Sequence, residues 1–84
     1  MNYYILSLTH NHPESLVFWR PNNSGYTYIV ELAGKYSHEQ VNARKDYYNN
    51  GKDTKAVPCH LLDEFAVRII PSSVNIDRIL GNKV

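Results

Sequence analysis

The chain reads as a single α+β domain, in which a short antiparallel sheet packs against a helix near residues 38–49 and further short C-terminal helices. Three observations carry this reading. The N-terminal run Tyr3-Tyr4-Ile5-Leu6-Ser7-Leu8 is rich in aromatic and aliphatic residues and suits a buried strand better than a two-turn helix. Ser37 followed at the third position by Gln40 is a helix-start signature, with no proline or glycine until Gly51. A length of 84 residues has room for one core, since domains usually take about 50 to 200 residues. Residues 1–84 are therefore expected to form one domain.

Tyr3–Leu8 is the first strand. Thr9–Ser15 is turn material, because Asn11 and Ser15 compete for backbone hydrogen bonds and Pro13 fixes φ. Leu16–Arg20 returns as the second strand of an antiparallel hairpin whose loop holds His10 and His12. Phe18 and Trp19 would point to opposite faces of that strand, so one belongs to the core and the other does not. Pro21 cannot donate to a ladder and closes the strand, while Gly25 supplies a position where φ is free to be positive. Residues 26–33 fit either a short third strand or a helical turn ending at Gly34, with a turn of helix after Tyr28 favoured.

Ser37 and Gln40 form a capping box for a helix from His38 to Asn49, in which the Ser37 hydroxyl accepts from the Gln40 amide and the Gln40 side chain reaches back. Glu39 lies at the positive end, Arg44 and Lys45 come later, and Asn50-Gly51 offers a left-handed stop. Val41 and Tyr48 share a narrow apolar stripe that leaves one side of the helix wet. Thr54–Val57 is a further strand, and Pro58 opens a helix over residues 60–66. Residues 67–70 continue that helix or form an edge strand until Pro71 stops either. Ser73 is positioned to cap a last helix, Val74–Leu80, with Gly81 as its stop.

Composition narrows the function classes. A formal net charge of +1 provides no general field for coating nucleic acid. The single cysteine, Cys59, excludes an internal disulfide and fits a reducing compartment. No basic leader precedes an apolar run, and no stretch approaches the roughly 20 apolar residues of a membrane span, so a cytoplasmic location without membrane contact is expected. His10, His12, Cys59 and His60 would make a four-ligand zinc site only if their segments met, and adjacent Cys-His is an uncommon half-site. Neither a metal nor a cofactor is expected. A Cys59 nucleophile needs a base facing it, which its neighbour His60 does not readily supply, and Asp46, Asp53, Asp63 and Glu64 show no acid–base pairing. The sequence therefore predicts no catalytic residues and a protein that is not an enzyme.

The densest stretch is Phe18–Thr27, which contains the only tryptophan, an arginine, a Pro-Asn-Asn-Ser-Gly turn and a tyrosine. Trp19, Arg20, Asn22, Asn23 and Tyr26 are the expected partner-binding residues, because arginine and aromatic side chains join directional donors to wide contact area. The same segment also has an architectural reading, with Trp19 as a core anchor and the rest as an ordinary turn. Seven tyrosines and nine asparagines make a polar, low-charge surface suited to protein recognition, with Tyr26, Tyr28, Tyr36, Tyr47 and Tyr48 as further candidates. The alternative ligand is a nucleotide or single-stranded nucleic acid, with a base stacked on an aromatic ring and Arg20 or Lys35 near a phosphate. A domain this small also stands to gain stability as a homodimer.

The pattern W-x-P-x-x-x-G-Y-T at Trp19–Thr27, with Ala33-Gly34-Lys35-Tyr36-Ser37 and Ala56-Val57-Pro58, resembles small uncharacterised accessory proteins of bacteriophages and prophages. The likeness runs from Tyr3 to about Ile70 and carries no biochemical activity with it. It implies a chain at work in an infected host cell, where it binds a host or phage protein and redirects or inhibits it, defence systems included.

Overall fold

The computed structural model describes residues 1–10, 12, 14–65 and 68–81. It is an α+β domain built on a five-stranded antiparallel sheet. The strands are β1 (Asn2–Ser7), β2 (Phe18–Trp19), β3 (Tyr26–Thr27), β4 (Tyr36–Ser37) and β5 (Thr54–Pro58), and the helices are α1 (His38–Ala43), α2 (Lys45–Tyr48), α3 (Cys59–Asp63) and α4 (Ile76–Gly81). A 3₁₀ turn spans Val30–Leu32.

β1 organises the sheet. It pairs with β5 along its length, from Tyr3 opposite Pro58 to Ser7 opposite Thr54. A strand has only two edges, so β2 and β4 share the other one end to end: Leu6 faces Phe18, while Asn2 and Tyr3 face Ser37 and Tyr36. β3 pairs outside β2, with Trp19 opposite Tyr26. Strand alternation sends β1 side chains to two separate cores, which explains why its sequence is apolar throughout rather than every second residue. Tyr4 and Leu6 join Phe18, Val57, Leu62, Ile70 and Ile76 on one face. Ile5 joins Tyr36, Val41, Tyr48 and Ala56 on the other, with Tyr3 and Trp19 packed at the margin. Phe18 and Trp19 do point to opposite faces, and Phe18 is the one wholly buried.

The hairpin, the strand near 54–57 and the turn of helix after Tyr28 appear as the sequence predicts. Several boundaries differ. The second strand is confined to Phe18–Trp19, and Ser15 instead bridges Pro71. β4 is a strand that residue pattern did not reveal, since two residues are too few to show a period. The helix over 38–49 is broken at Arg44, whose φ and ψ of −138° and 58° are not helical. Beyond the break, the Tyr48 ring is buried beside Tyr36 at 5.4 Å between centroids. Ser37 does cap α1, its hydroxyl accepting from the Gln40 amide at 3.1 Å. The Gln40 side chain does not reach back; its Nε2 donates to the Tyr48 hydroxyl at 3.1 Å. Pro58 opens α3, which begins at Cys59 and ends at Asp63. Asn75, rather than Ser73, caps α4, its Oδ1 accepting from the Arg78 amide at 2.9 Å, and Gly81 lies within that helix. Arg68–Ile70 forms neither helix nor strand. The readings that fall on Asn11, Pro13, Ala66, Val67 and residues 82–84 lie outside the described residues.

The outer edge of β5 is largely capped within the chain. Residues 54, 56 and 58 turn their backbone groups outward, and each is blocked differently. The Thr54 carbonyl accepts from the Gly51 amide at 2.9 Å and its N–H donates to Asn50 Oδ1 at 3.3 Å. The Ala56 N–H donates to Asn49 Oδ1 at 3.0 Å, and Pro58 has no N–H. Side-chain caps and proline are standard ways to keep an edge from pairing with another chain.

Candidate functional site

The β2–β3 hairpin positions the residues that the sequence singles out. Its connection runs from Arg20 to Gly25, closed by the Arg20 amide donating to the Gly25 carbonyl at 2.8 Å. Asn22 and Asn23 both have positive φ, 59° and 57°. The Ser24 amide donates to the Pro21 carbonyl at 3.2 Å, so this is a turn of the primed type, which asparagine tolerates better than other side chains outside glycine. The asparagine pair thus has a conformational job that its sequence did not separate from recognition.

Beneath the turn runs a chain of hydrogen bonds. The Asn23 N–H donates to the Tyr36 hydroxyl at 3.0 Å, which in turn donates to the Arg20 carbonyl at 2.5 Å. Gln40 Nε2 donates to the Tyr48 hydroxyl, which donates to Asn23 Oδ1 at 3.2 Å. Burial pushes the Tyr36 phenol above its usual range, with the Asn23 amide acting against that, so at neutral pH it stays protonated and able to donate. Gly34 is buried against the same turn and donates its amide to the Trp19 carbonyl at 2.8 Å.

Above this support lies a cleft of about 230 Å³ lined by Trp19, Asn23, Gly25, Tyr26 and Tyr47. The Trp19 ring meets Tyr26 edge-on at 6.5 Å and Tyr47 at 5.2 Å. Tyr26 and Tyr47 are 44% and 42% exposed, so these rings are open surface as well as packing. The Arg20 side chain runs alongside Gly25, its Cδ 3.7 Å from where a Cβ there would stand. Arg44 holds its guanidinium carbon 5.1 Å from the Tyr47 ring centroid. Three of the five predicted residues, Trp19, Asn23 and Tyr26, line the cleft, while Arg20 is not among its lining residues and Asn22 is exposed on the turn. Lys35 is exposed but does not line the cleft.

Tyr47 is the cleft residue that sequence reasoning did not place with the others, because it arrives from α2, more than twenty positions along the chain. The sequence also missed a clasp over β3. His10 stacks on Tyr26 with centroids 3.7 Å apart, and His12 meets Tyr28 at 4.5 Å. The matching two-residue spacing of the histidines and the tyrosines is the signal in the sequence. The histidines and Cys59 are not assembled into a metal site: among the described residues no three His, Cys, Asp or Glu side chains gather closely enough to hold an ion. Nor is any helix among them long and apolar enough to cross a membrane. Comparison of the chain with protein-family models, curated proteins and solved structures finds no match.

Cys59 is buried at the start of α3, and burial, reinforced by nearby Asp63, pushes its thiol up to about 11. At neutral pH it is a protonated thiol, a poor nucleophile. The folded state holds this proton more tightly than the unfolded chain, so the associated stability is complete below about pH 8.5 and is lost as pH rises towards the folded value. Tyr4, raised first by burial and then by its hydrogen bond to Asp63, shifts in the same direction at still higher pH. The urea midpoint is therefore expected to be flat near neutrality and to fall as pH climbs through the range from 9 to 11. In Cys59→Ala the first part of that fall should disappear; an unchanged profile would remove Cys59 as its source.

Proposed function

We propose that this chain is a small non-enzymatic accessory protein of bacteriophage or prophage type, acting in the host cytoplasm, that binds a host or phage protein and modulates or inhibits it. The observation that supports the reading is the aromatic cleft, where half-exposed Tyr26 and Tyr47 meet Trp19 next to a turn tied down from below. Rings already held in place lose little freedom on contact, which is what makes aromatic and arginine residues dominate interfaces. A standard interface takes about 800 Å² from each partner, a modest share of the 5333 Å² that this chain exposes. Inhibition then needs no chemistry, only coverage of the partner's working surface. The W-x-P-x-x-x-G-Y-T resemblance supports the phage setting and defence systems as a class of target.

Arg20→Ala and Tyr26→Ala are each expected to weaken partner capture from infected-cell lysate by about tenfold or more, with melting temperature nearly unchanged. If both variants retain the same partner at full strength, the edge is not the interface. Sedimentation of the purified chain tests whether a second copy is a partner of the same kind.

The half-exposed aromatic rings of the cleft also favour a second reading, a module that binds or sequesters a nucleotide or single-stranded nucleic acid. A ligand that binds only the folded state raises the melting temperature. No shift with mononucleotides or cyclic dinucleotides at millimolar concentration removes this reading.

A further inference from the structure

We infer that Asn50 is a site of spontaneous covalent modification, deamidated by attack of the Gly51 backbone nitrogen on its side chain, and that the fold keeps this reaction shut until the loop between α2 and β5 opens. Asn50-Gly51 is the only Asn-Gly pair in the chain. Glycine leaves its nitrogen unshielded and its backbone free to bend towards the preceding side chain. Both residues are exposed here, and nothing stands within 4 Å of where a Cβ on Gly51 would be. Sterically the pair is open to water and base, so what restrains it is hydrogen bonding.

Those bonds hold both reacting groups. Asn50 Oδ1 accepts from the Lys52, Asp53 and Thr54 amides at 2.8, 2.8 and 3.3 Å, and Nδ2 donates to the Asp46 carbonyl at 3.0 Å. The Gly51 N–H, whose proton must leave before the nitrogen attacks, donates to the Thr54 carbonyl at 2.9 Å. Thr54 is buried, and its hydroxyl donates to the Tyr47 carbonyl at 2.8 Å. The reaction therefore waits on a local opening of the loop, which takes less free energy than global unfolding. Once open, the Gly51 nitrogen gives its proton to base and bonds to Asn50 Cγ, while the Cγ–Nδ2 bond breaks and ammonia leaves with a proton. Water then opens the cyclic imide at either carbonyl. One product is aspartate, whose carboxylate takes back the three amide donors in charge-assisted bonds. The other is isoaspartate, in which the main chain runs through the side-chain carbonyl and gains a methylene between residues 50 and 51. That lengthening removes the Thr54 cap from the outer edge of β5. It also slackens the tie from Thr54 to Tyr47, so the damage reaches the cleft.

The test incubates the protein in mildly alkaline buffer and follows residue 50 by proteolysis and mass spectrometry, with the asparagine, aspartate and isoaspartate forms separated by chromatography. The folded chain is compared with the same chain in urea and with a capped peptide of residues 46–54. Asn50 is expected to react about tenfold or more slowly in the folded chain than in either reference. Thr54→Val keeps the side-chain shape but removes the hydroxyl tie to Tyr47, and should quicken the folded-state reaction. Gly51→Ala should slow the reaction in chain and peptide alike. Equal rates in the folded chain and the peptide, or a Thr54→Val protein no faster than wild type, overturn the closed loop. An Asn50 that stays intact in urea and in the peptide overturns the site itself. Should Thr54→Val fail to fold by circular dichroism, the wild-type comparison still decides. The isoaspartate form isolated from aged protein should melt below the unmodified chain, with Asn50→Asp closer to the unmodified chain; coincident melts of the isoaspartate and asparagine forms overturn the loss of the cap.

Discussion

Gly34→Ala is expected to lower the melting temperature by about 8–16 °C, the result of a loss near 2 kcal/mol in a domain of this size. The cause is space rather than backbone angle. A Cβ on Gly34 would stand 2.7 Å from Tyr36 Cε1 and 2.8 Å from both the Cα and N of Pro21. Two of those three atoms are backbone, so relief requires moving the Pro21–Asn23 turn and not merely swinging a side chain. The movement should reach the cleft, because Asn23 is held by Tyr36 and Tyr48 from beneath. Gly51→Ala makes the control. Its φ is +81° with nothing within 4 Å of the added carbon, so it should cost only the left-handed penalty, about 1 kcal/mol. Thermal melts of the two variants test the ordering, and a Gly34→Ala protein as stable as wild type would show that the turn gives way freely.

Tyr36→Ala is expected to cost about 3–5 kcal/mol, as large-to-small changes in a core do. A chain of 84 residues has about 0.05–0.15 kcal/mol of stability per residue, about 4–13 kcal/mol in all, so this variant forfeits from roughly a quarter of its stability to the whole of it. Tyr36→Phe separates the ring from its hydroxyl. It keeps the packing against Trp19 and Tyr48 but leaves the Arg20 carbonyl and the Asn23 N–H without their partner. That should cost about 1–3 kcal/mol. Hydrogen exchange at the Asn23 amide should quicken in Tyr36→Phe; unchanged protection would mean that the hydroxyl does not hold the turn.

Much of the fold was legible because local chemistry and tertiary structure agree. The apolar run of β1, the Ser37 cap, Pro58 at the head of α3 and the alternation of Phe18 and Trp19 all act over a few residues, and the structure keeps each. The misreadings share one cause. The helix breaks at Arg44, and the Tyr48 ring beyond the break packs against Tyr36, a residue of another element. Gln40 leaves its capping role because the Tyr48 hydroxyl, eight residues on, offers a better-placed acceptor. β4 exists because β1 has a free half-edge opposite Tyr36 and Ser37, which no local pattern announces.

The candidate site divides in the same way. The sequence by itself determined that Trp19, Arg20, Asn22, Asn23 and Tyr26 stand together as candidate contacts and that Pro21 and Gly25 would shape a turn between strands. It also determined that the chain carries too little charge to coat nucleic acid, since each of these follows from residue chemistry and short spacing. Only the tertiary structure decided that Asn22 and Asn23 bear positive φ and that Tyr47 comes from α2 to complete the cleft. It likewise tied Asn23 down from below. Those outcomes depend on contacts between residues far apart in the chain, whose packing and hydrogen-bond energies exceed the local preferences that a sequence displays.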